Sequence, residues 1–161
     1  MQDATLVFFF RNDEILLGLK KRGFAQGKLN GFGGKIENGE SIESAATREL
    51  YEECGVRVNV ADLKPVARLE FFFPAKPEWD QVVHAFVVNH WQGEPIETEE
   101  MQPMWIKTNA IPYDRMWADD IHWLPLVLQG KRIEAVFTFQ DDNETVKQAE
   151  IQADGIDTYC R

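Results

Sequence analysis

Four glutamates lie close together in the stretch 33–56, which reads GGKIENGESIESAATRELYEECGV: Glu43, Glu49, Glu52 and Glu53. On a helix the last three would share one face, because they stand at i, i+3 and i+4. Like charges at these spacings destabilise a helix by roughly 0.2–0.5 kcal/mol per pair. A bound Mg²⁺ would reverse that effect, because hard divalent cations take oxygen ligands. The stretch therefore indicates either an acidic metal site or a solvated surface helix.

The residues around the glutamates predict a helix over 41–54. Ser41 suits the N-cap, and Gly55 suits the position just after the helix ends. Glycines before the helix let the backbone pass close to a ligand and offer carbonyl oxygens to it. Apolar residues recur every four positions on the helix and predict a buried stripe, formed by Ala46, Leu50 and Cys54.

The rest of the chain predicts one mixed sheet with helices packed on it. Runs of β-branched and aromatic residues predict strands, and a second helix is expected somewhere after Asp119. This order predicts an α/β fold and a single domain over residues 1–161. The predicted strands are 4–10, 15–20, 66–73, 82–89 and 103–107, followed by a C-terminal hairpin with arms at 132–140 and 144–152.

The composition limits the classes of partner. The formal net charge is −10, which argues against a nucleic-acid polymer, because phosphate-backbone binding needs a basic surface. A small phosphorylated ligand remains compatible if metal ions bridge the like charges. The two cysteines, Cys54 and Cys160, form no disulfide framework, and the N-terminal apolar run is too short for a signal peptide or a membrane span. We expect a cytoplasmic monomer without a membrane partner.

The spacing of the acidic stretch is far more specific than its charge. It matches the pattern Gly-x5-Glu-x7-Arg-Glu-U-x-Glu-Glu-x-Gly-U, in which U is a bulky apolar residue, at every fixed position. The stretch 34–56 thus resembles the signature of the Nudix hydrolase family. The matching residues are Gly34, Glu40, Arg48, Glu49, Leu50, Glu52, Glu53, Gly55 and Val56.

The resemblance implies a fold and a chemistry. The fold would be the Nudix α/β/α sandwich around a mixed sheet, and the reaction would be hydrolysis of a nucleoside diphosphate linkage with Mg²⁺, or Mn²⁺ as a substitute. Bound metal would lower the pKa of a water molecule and stabilise charge as the phosphorus–oxygen bond breaks. A carboxylate would take the proton. The implied metal ligands are Gly33 through its carbonyl, Glu49, Glu52, Glu53 and Glu100, with Arg48 orienting the carboxylates and Glu40 supporting the junction between loop and helix.

The flanking sequences are similar to one branch of the family. LLGLKKRGFAQGKLNGFGGK, EEMQPMW and MWADDIHWLPLVLQGK resemble the MutT-type enzymes of mammals that hydrolyse oxidised purine nucleoside triphosphates. The implied substrates are 8-oxo-dGTP and 2-hydroxy-dATP, and the implied role is sanitation of the nucleotide pool. The resemblance places a base pocket at Thr5, Lys20, Phe24, Asn30, Phe71, Phe73, Met101, Trp117, Asp119, Asp120 and Phe139.

Within that pocket the implied roles differ from residue to residue. Asn30, Asp119 and Asp120 would read the base edge, Trp117 would stack on the purine, and Lys20 would lie near the sugar or phosphates. Neighbouring aspartates shift each other's titration, so one can stay protonated and donate a hydrogen bond. Aromatic faces stack on bases with a gain of about 1–3 kcal/mol per base.

Other interpretations also fit the sequence. From the residues alone, Asp119 and Asp120 could begin a helix as cap and first-turn acid, with Trp117 in the core. The catalytic signature is also compatible with a dinucleotide, a nucleotide sugar or a methylated purine nucleotide as substrate, and with a regulator that binds nucleotides without hydrolysing them. The run Phe71–Phe73 departs from the related enzymes, and no role is assigned to the tail 153–161.

Overall fold

The computed structural model describes residues 1–154. The stretch 155–161, which holds most of the tail and Cys160, lies outside the described residues. Within residues 1–154 there are eight strands and two α-helices, and short 3₁₀ turns connect some of them. The strands are β1 (Gln2–Arg11), β2 (Glu14–Lys20), β3 (Leu29–Asn30), β4 (Lys64–Phe72), β5 (Gln81–Val88), β6 (Met101–Lys107), β7 (Arg132–Phe139) and β8 (Val146–Asp154), and the helices are α1 (Ile42–Cys54) and α2 (Asp120–Leu128).

The strands form one mixed sheet in the order β3-β2-β1-β5-β4-β7-β8, and β6 pairs with β2 outside this path. The pairs β1–β5 and β4–β7 are parallel, whereas the other pairs are antiparallel. A helix covers each face. Sheet residues of alternating parity feed two separate buried clusters, because successive side chains of a strand point to opposite faces. The predicted α/β/α sandwich around a mixed sheet is confirmed.

Helix α1 packs on one face through its predicted stripe. Ala46, Leu50 and Cys54 are fully buried there against Val7 and Phe9 of β1. Helix α2 packs on the other face through a second apolar stripe. Its buried residues Trp123, Leu124 and Val127 lie in one cluster with Phe8 and Phe10 of β1, and with apolar residues of β4, β5 and β7.

The start and end of α1 agree with the sequence prediction. The Ser41 hydroxyl accepts a hydrogen bond from the Ser44 N–H at 3.0 Å, which satisfies one of the free donors of the first turn. Gly55 follows the helix with φ 74°, the left-handed conformation that glycine adopts without strain. The C-terminal hairpin is also confirmed, while β6 begins at Met101, two residues before the predicted strand.

The glycine-rich segment before α1 is inserted into the sheet beside β1. The Val7 N–H donates to the Phe32 carbonyl at 2.6 Å, the Phe32 N–H donates back at 2.9 Å, and the Thr5 N–H donates to the Gly34 carbonyl at 2.9 Å. The segment therefore runs antiparallel to β1, and it carries the chain from β3 to the start of α1. A Cβ on Gly33 would lie 1.9 Å from the Thr5 carbonyl oxygen, so only glycine fits this position.

This close approach predicts that a single methyl group added at Gly33 strongly destabilises the fold. We expect Gly33→Ala to lower the free energy of unfolding by about 3 kcal/mol, because the new Cβ meets rigid backbone and the segment must move off β1. Chemical denaturation followed by circular dichroism would measure the loss.

Gly31→Ala is the matched control, because its Cβ would lie 2.9 Å from the Val7 carbonyl oxygen and from the Phe8 ring, a milder overlap. Equal losses in the two variants would contradict the role assigned to Gly33.

Candidate active site

Arg48 joins the acidic residues of α1 into one network. Its guanidinium donates to both Glu40 carboxylate oxygens, at 2.7 Å from Nε and 3.0 Å from Nη2. Its Nη1 donates to Glu49 at 3.3 Å and to Glu52 at 3.2 Å, and Nη2 also donates to the Lys35 carbonyl at 3.2 Å. Hydrogen bonds from Arg48 lower the pKa of the Glu40 carboxyl. Arg48 thus offsets the repulsion that the sequence predicted for this helix face.

Glu53 is the buried member of the acidic group, with 6% of its surface exposed. Its carboxylate accepts the Gly33 N–H at 2.9 Å and lies 3.9 Å from the Lys20 ammonium. Burial raises the pKa of Glu53 to about 7, against the opposing effect of the Gly33 hydrogen bond. Burial also raises the pKa of Glu49, which lies one turn earlier on α1, whereas the Glu52 side chain is 54% exposed.

Glu100 approaches the group from the loop before β6. Its carboxylate accepts hydrogen bonds from Arg22 at 2.8 Å and 3.0 Å and from Lys20 at 3.2 Å, and these donors lower its pKa. The Thr98 hydroxyl of the same loop donates to the Glu53 carbonyl at 2.8 Å. The loop therefore closes the end of α1, and Lys20 bridges Glu53 and Glu100.

The oxygen donors of this site suit a hard divalent cation, because they comprise four carboxylates and the Gly33 carbonyl. The next residue, Gly34, has no room for a side chain. A Cβ on Gly34 would lie 2.3 Å from a Glu49 carboxylate oxygen. Each carboxylate is at present held by a cation or by an N–H group. No group of three His, Cys, Asp or Glu side chains in residues 1–154 converges closely enough to hold a metal ion. The fit is therefore one of donor chemistry, with three of the carboxylates on α1 and the other donors from the loops before α1 and before β6.

A cavity of about 350 Å³ lies beside this acidic group. Its floor is the sheet face that turns toward α2, its wall includes the N-terminal end of α2, and Glu53, Gly33 and Lys20 border it where it meets α1. Its volume falls within the range of small-ligand sites. The cavity thus extends from the apolar side chains of the sheet to Glu53 on α1.

The structure brings the whole predicted base pocket to this cavity. The pocket residues that line it are Thr5, Lys20, Phe24, Asn30, Phe71, Phe73, Met101, Trp117, Asp119, Asp120 and Phe139. The lining does not include Arg48, Glu49, Glu52 or Glu100. Glu49 and Glu100 act electrostatically on Glu53, whereas Arg48 contacts Glu49 and Glu52. Sequence reasoning missed three polar lining residues, Lys28, Lys35 and Gln81, because single lysines in loops and a glutamine at a strand start carry no signal of their own.

Aromatic rings form one wall of the cavity. The Trp117 indole stacks on Phe24 with a centroid distance of 5.5 Å and meets Phe139 edge-on at 6.3 Å. Phe73 stacks on Phe139 at 4.7 Å, and the Lys28 ammonium lies 5.1 Å from the Trp117 ring centroid. Phe24 is 52% exposed, so it lies at the mouth of the cavity and not in the core.

Asp119 and Asp120 are buried acids at the start of α2, with 3% and 2% of their surfaces exposed. The Trp123 indole N–H donates to Asp119 at 2.9 Å, whereas one oxygen of Asp120 has no hydrogen-bond partner. Burial raises the pKa of Asp119 to about 6. Burial and the neighbouring Asp119 raise the pKa of Asp120 well above its usual value, against smaller opposing effects of the Trp117 backbone and of Lys28. The pair therefore holds a proton near neutral pH and offers a hydrogen-bond donor to the cavity.

The alternative interpretation of this segment is right about position, because Asp119 is at the N-cap of α2 and Asp120 is in its first turn, but it is wrong about side-chain capping. Asp119 makes no side-chain cap to α2 and has helical φ and ψ angles of −76° and −26°, so capping does not explain its burial. Trp117 borders the cavity, whereas Trp123 is a fully buried core residue. Asn30 uses its carbonyl oxygen locally, accepting the Gly31 N–H at 2.9 Å, and it also lines the cavity.

The class of protein follows from the fold, the site and a family comparison. Residues 1–127 match the NUDIX domain. The chain therefore belongs to the Nudix hydrolase family, whose members generally use divalent metal ions.

Individual relatives are similar along most of the chain. The oxidized purine nucleoside triphosphate hydrolase of Danio rerio is 46% identical over 143 residues, covering 89% of this chain and 90% of the relative. The Mus musculus protein of the same name is 45% identical over 139 residues, covering 86% and 87%. A crystal structure of a MutT protein from Bacillus halodurans has the same fold, with a TM-score of 0.81 at 24% identity and coverage of 94% of this chain and 97% of that one.

None of the described helices is both long enough and apolar enough to cross a membrane.

The buried aspartate pair predicts how stability depends on pH. An aspartate in the unfolded chain releases its proton near pH 4, whereas the folded pair keeps one to about pH 6 or above. The folded state therefore binds more protons in this window, and its stability falls as the pH rises, by about 1.4 kcal/mol per pH unit for one proton.

We expect the stability of Asp120→Asn relative to the wild type to rise between pH 4.5 and pH 7.5, because the variant lacks the titration of Asp120 and keeps only that of Asp119. Denaturant unfolding at both pH values would measure the gain. Asp114→Asn, at an exposed position six residues earlier, is the control and should show no such change with pH. A pH-independent difference between Asp120→Asn and the wild type would count against the buried proton.

Proposed function

We propose that this protein hydrolyses oxidised purine nucleoside triphosphates, such as 8-oxo-dGTP and 2-hydroxy-dATP, to the nucleoside monophosphate and pyrophosphate, with Mg²⁺ as the metal ion. Its relatives from Danio rerio and Mus musculus are oxidized purine nucleoside triphosphate hydrolases by name, which supports this substrate class. The nucleotide is the partner we propose, bound by a single domain acting as a monomer.

One observation carries the substrate proposal: a buried pair of acids, one with an unpaired oxygen, borders an aromatic cavity that meets the glutamate helix. An unpaired buried polar atom is costly unless a ligand satisfies it. A purine edge carries both donors and acceptors. A carboxyl that keeps its proton can donate to an acceptor, and the neighbouring carboxylate can accept from a donor. The two acids thus suit the donors and acceptors on the six-membered ring of both oxidised guanine and oxidised adenine.

The residues around the pair bind the rest of the base. We propose that Trp117 stacks on the purine and that Phe24 covers it from the mouth of the cavity. The two rings touch each other at 5.5 Å, so the base must part them or slide along one face. Asn30 presents its amide nitrogen, because its oxygen is already used by the Gly31 N–H.

At the other end of the cavity the chain's own groups orient the phosphates. Lys20 carries a positive charge between Glu53 and Glu100, where a polyphosphate can replace one of its present partners. Glu49, Glu52, Glu53, Glu100 and the Gly33 carbonyl would hold Mg²⁺, which when bound supplies neutralisation of phosphate charge and activation of water. Arg48 keeps two of these carboxylates in place. Water attacks phosphorus, the bond to pyrophosphate breaks, and a glutamate carboxylate accepts the proton from water.

Product analysis tests the reaction. We expect the purified protein with Mg²⁺ to convert 8-oxo-dGTP into 8-oxo-dGMP and pyrophosphate, and to lose activity in excess EDTA, because without a metal ion the anionic glutamates repel the phosphates. Chromatography of the nucleotide and an assay of pyrophosphate with and without pyrophosphatase would measure this. Orthophosphate as the direct product, a preference for ADP-ribose, or full activity in EDTA would overturn the proposal.

A single amide substitution separates an enzyme from a nucleotide-binding regulator. We expect Glu53→Gln to lower kcat by at least about 10²-fold while nucleotide binding remains measurable, because the variant keeps its shape and loses a carboxylate. Glu43→Gln is the control, since Glu43 lies on the same helix but does not line the cavity. A wild-type protein that binds oxidised nucleotides and hydrolyses no nucleotide would support the regulator instead.

The base pocket separates the proposed substrates from other nucleotides of the family. We expect Asp119→Asn and Asp120→Asn each to lower kcat/KM for 8-oxo-dGTP by about tenfold or more, because one hydrogen bond to the base is lost and one buried group is left unpaired. Steady-state kinetics on a nucleotide panel would measure this. Unchanged turnover in both variants would favour a dinucleotide, a nucleotide sugar or a methylated purine nucleotide.

A further inference from the structure

The floor of the base cavity is a patch of sheet whose register is known. Ala4 of β1 pairs with Val83 of β5, and Val83 pairs with Leu69 of β4. One row further along, Gln81 of β5 pairs with Phe71 of β4. Directly paired residues and residues two apart share a face of the sheet, so Gln81 stands on the floor beside Phe71 and Val83. All five residues line the cavity.

Gln81 is the one polar side chain among these floor residues. Gln81 is half-buried, and its side-chain amide makes no hydrogen bond within residues 1–154. A primary amide offers two donors on nitrogen and an acceptor on oxygen. A ligand that enters the cavity and removes water from this amide pays a penalty unless it supplies matching groups. The position of Gln81 on an apolar floor therefore selects for a ligand with a polar edge at that place.

We propose that Gln81 is a specificity-determining residue that reads the oxidised five-membered ring of the purine. This inference rests on the proposed function. In an unmodified guanine N7 is an acceptor and C8 carries only hydrogen. In 8-oxoguanine N7 carries a hydrogen and is a donor, and O8 is a new acceptor. The glutamine oxygen accepts from N7–H while its nitrogen donates to O8, so both halves of the amide are satisfied.

The arrangement divides the base between two elements. Asp119 and Asp120 border the cavity from the N-terminal end of α2, whereas Gln81 borders it from β5 in the sheet beneath. With the six-membered ring at the acids, Gln81 meets the five-membered ring. An unmodified purine can still accept one hydrogen bond at N7, but it leaves the glutamine oxygen facing C8–H, so that oxygen loses its partner.

The test compares two pairs of substrates in Gln81→Met, which keeps the length of the side chain and removes its hydrogen bonds. We expect the ratio of kcat/KM for 8-oxo-dGTP over dGTP to fall about tenfold, the usual value of one net hydrogen bond. The ratio for 2-hydroxy-dATP over dATP should stay within about twofold, because that oxidation leaves the five-membered ring unchanged. Isothermal titration of 8-oxo-dGMP and dGMP should give the same change in relative affinity.

Gln2→Met is the matched control, because Gln2 pairs with Gln81 from β1 but is exposed and does not line the cavity. It should leave both ratios unchanged. If the wild type hydrolyses 8-oxo-dGTP and Gln81→Met keeps the ratio over dGTP, or lowers both ratios equally, Gln81 does not read the oxidised ring and the proposed function stands. If the wild type hydrolyses neither oxidised nucleotide, the proposed function fails and the inference falls with it.

Discussion

The backbone ladder between β1 and the segment 31–34 is the constraint on which the site depends. It inserts a glycine segment into the sheet, and the insertion delivers α1 to the edge of the cavity. The reciprocal hydrogen bonds of Val7 and Phe32 fix the register, and the tight approach of Gly33 to Thr5 excludes any side chain. The same backbone turn offers its Gly33 N–H to the Glu53 carboxylate. The position of the most buried acidic group is therefore set by main-chain geometry.

Charge compensation makes that geometry tolerable. Arg48 contacts Glu40, Glu49 and Glu52 together, and Lys20 lies between Glu53 and Glu100. Arg48 offsets the repulsion between Glu49 and Glu52, which stand at helical spacing on α1, and Lys20 does the same for Glu53 and Glu100, which come from different parts of the chain. The two cations differ in function. Arg48 uses a planar group with several donors to orient side chains, whereas Lys20 is a single charge on a flexible stem that borders the cavity and can be shared with a phosphate.

Much of the fold could be predicted from patterns of residues that are close together in the sequence. The helix over 41–54 is marked by its N-cap serine, its terminal glycine and its apolar stripe, all of which depend on residues close in sequence. The strand β3 was not predicted, because two residues of a glycine-rich loop show no periodicity. The early start of β6 at Met101 was also missed, because pairing with Lys20 of β2, and not propensity, extends that strand.

The sequence by itself determined the chemistry: the fixed spacing of glutamates, arginine and glycines specifies a family of hydrolases, because that spacing is local to one turn and one helix. Only the tertiary structure decided how the residues that line the cavity are arranged. It buried Asp119 and Asp120, left one oxygen of the pair unpaired, and placed Gln81 on the floor beside Phe71. These facts depend on strand register and on the packing of α2 over the sheet, which join residues far apart in the chain, so no local pattern reports them.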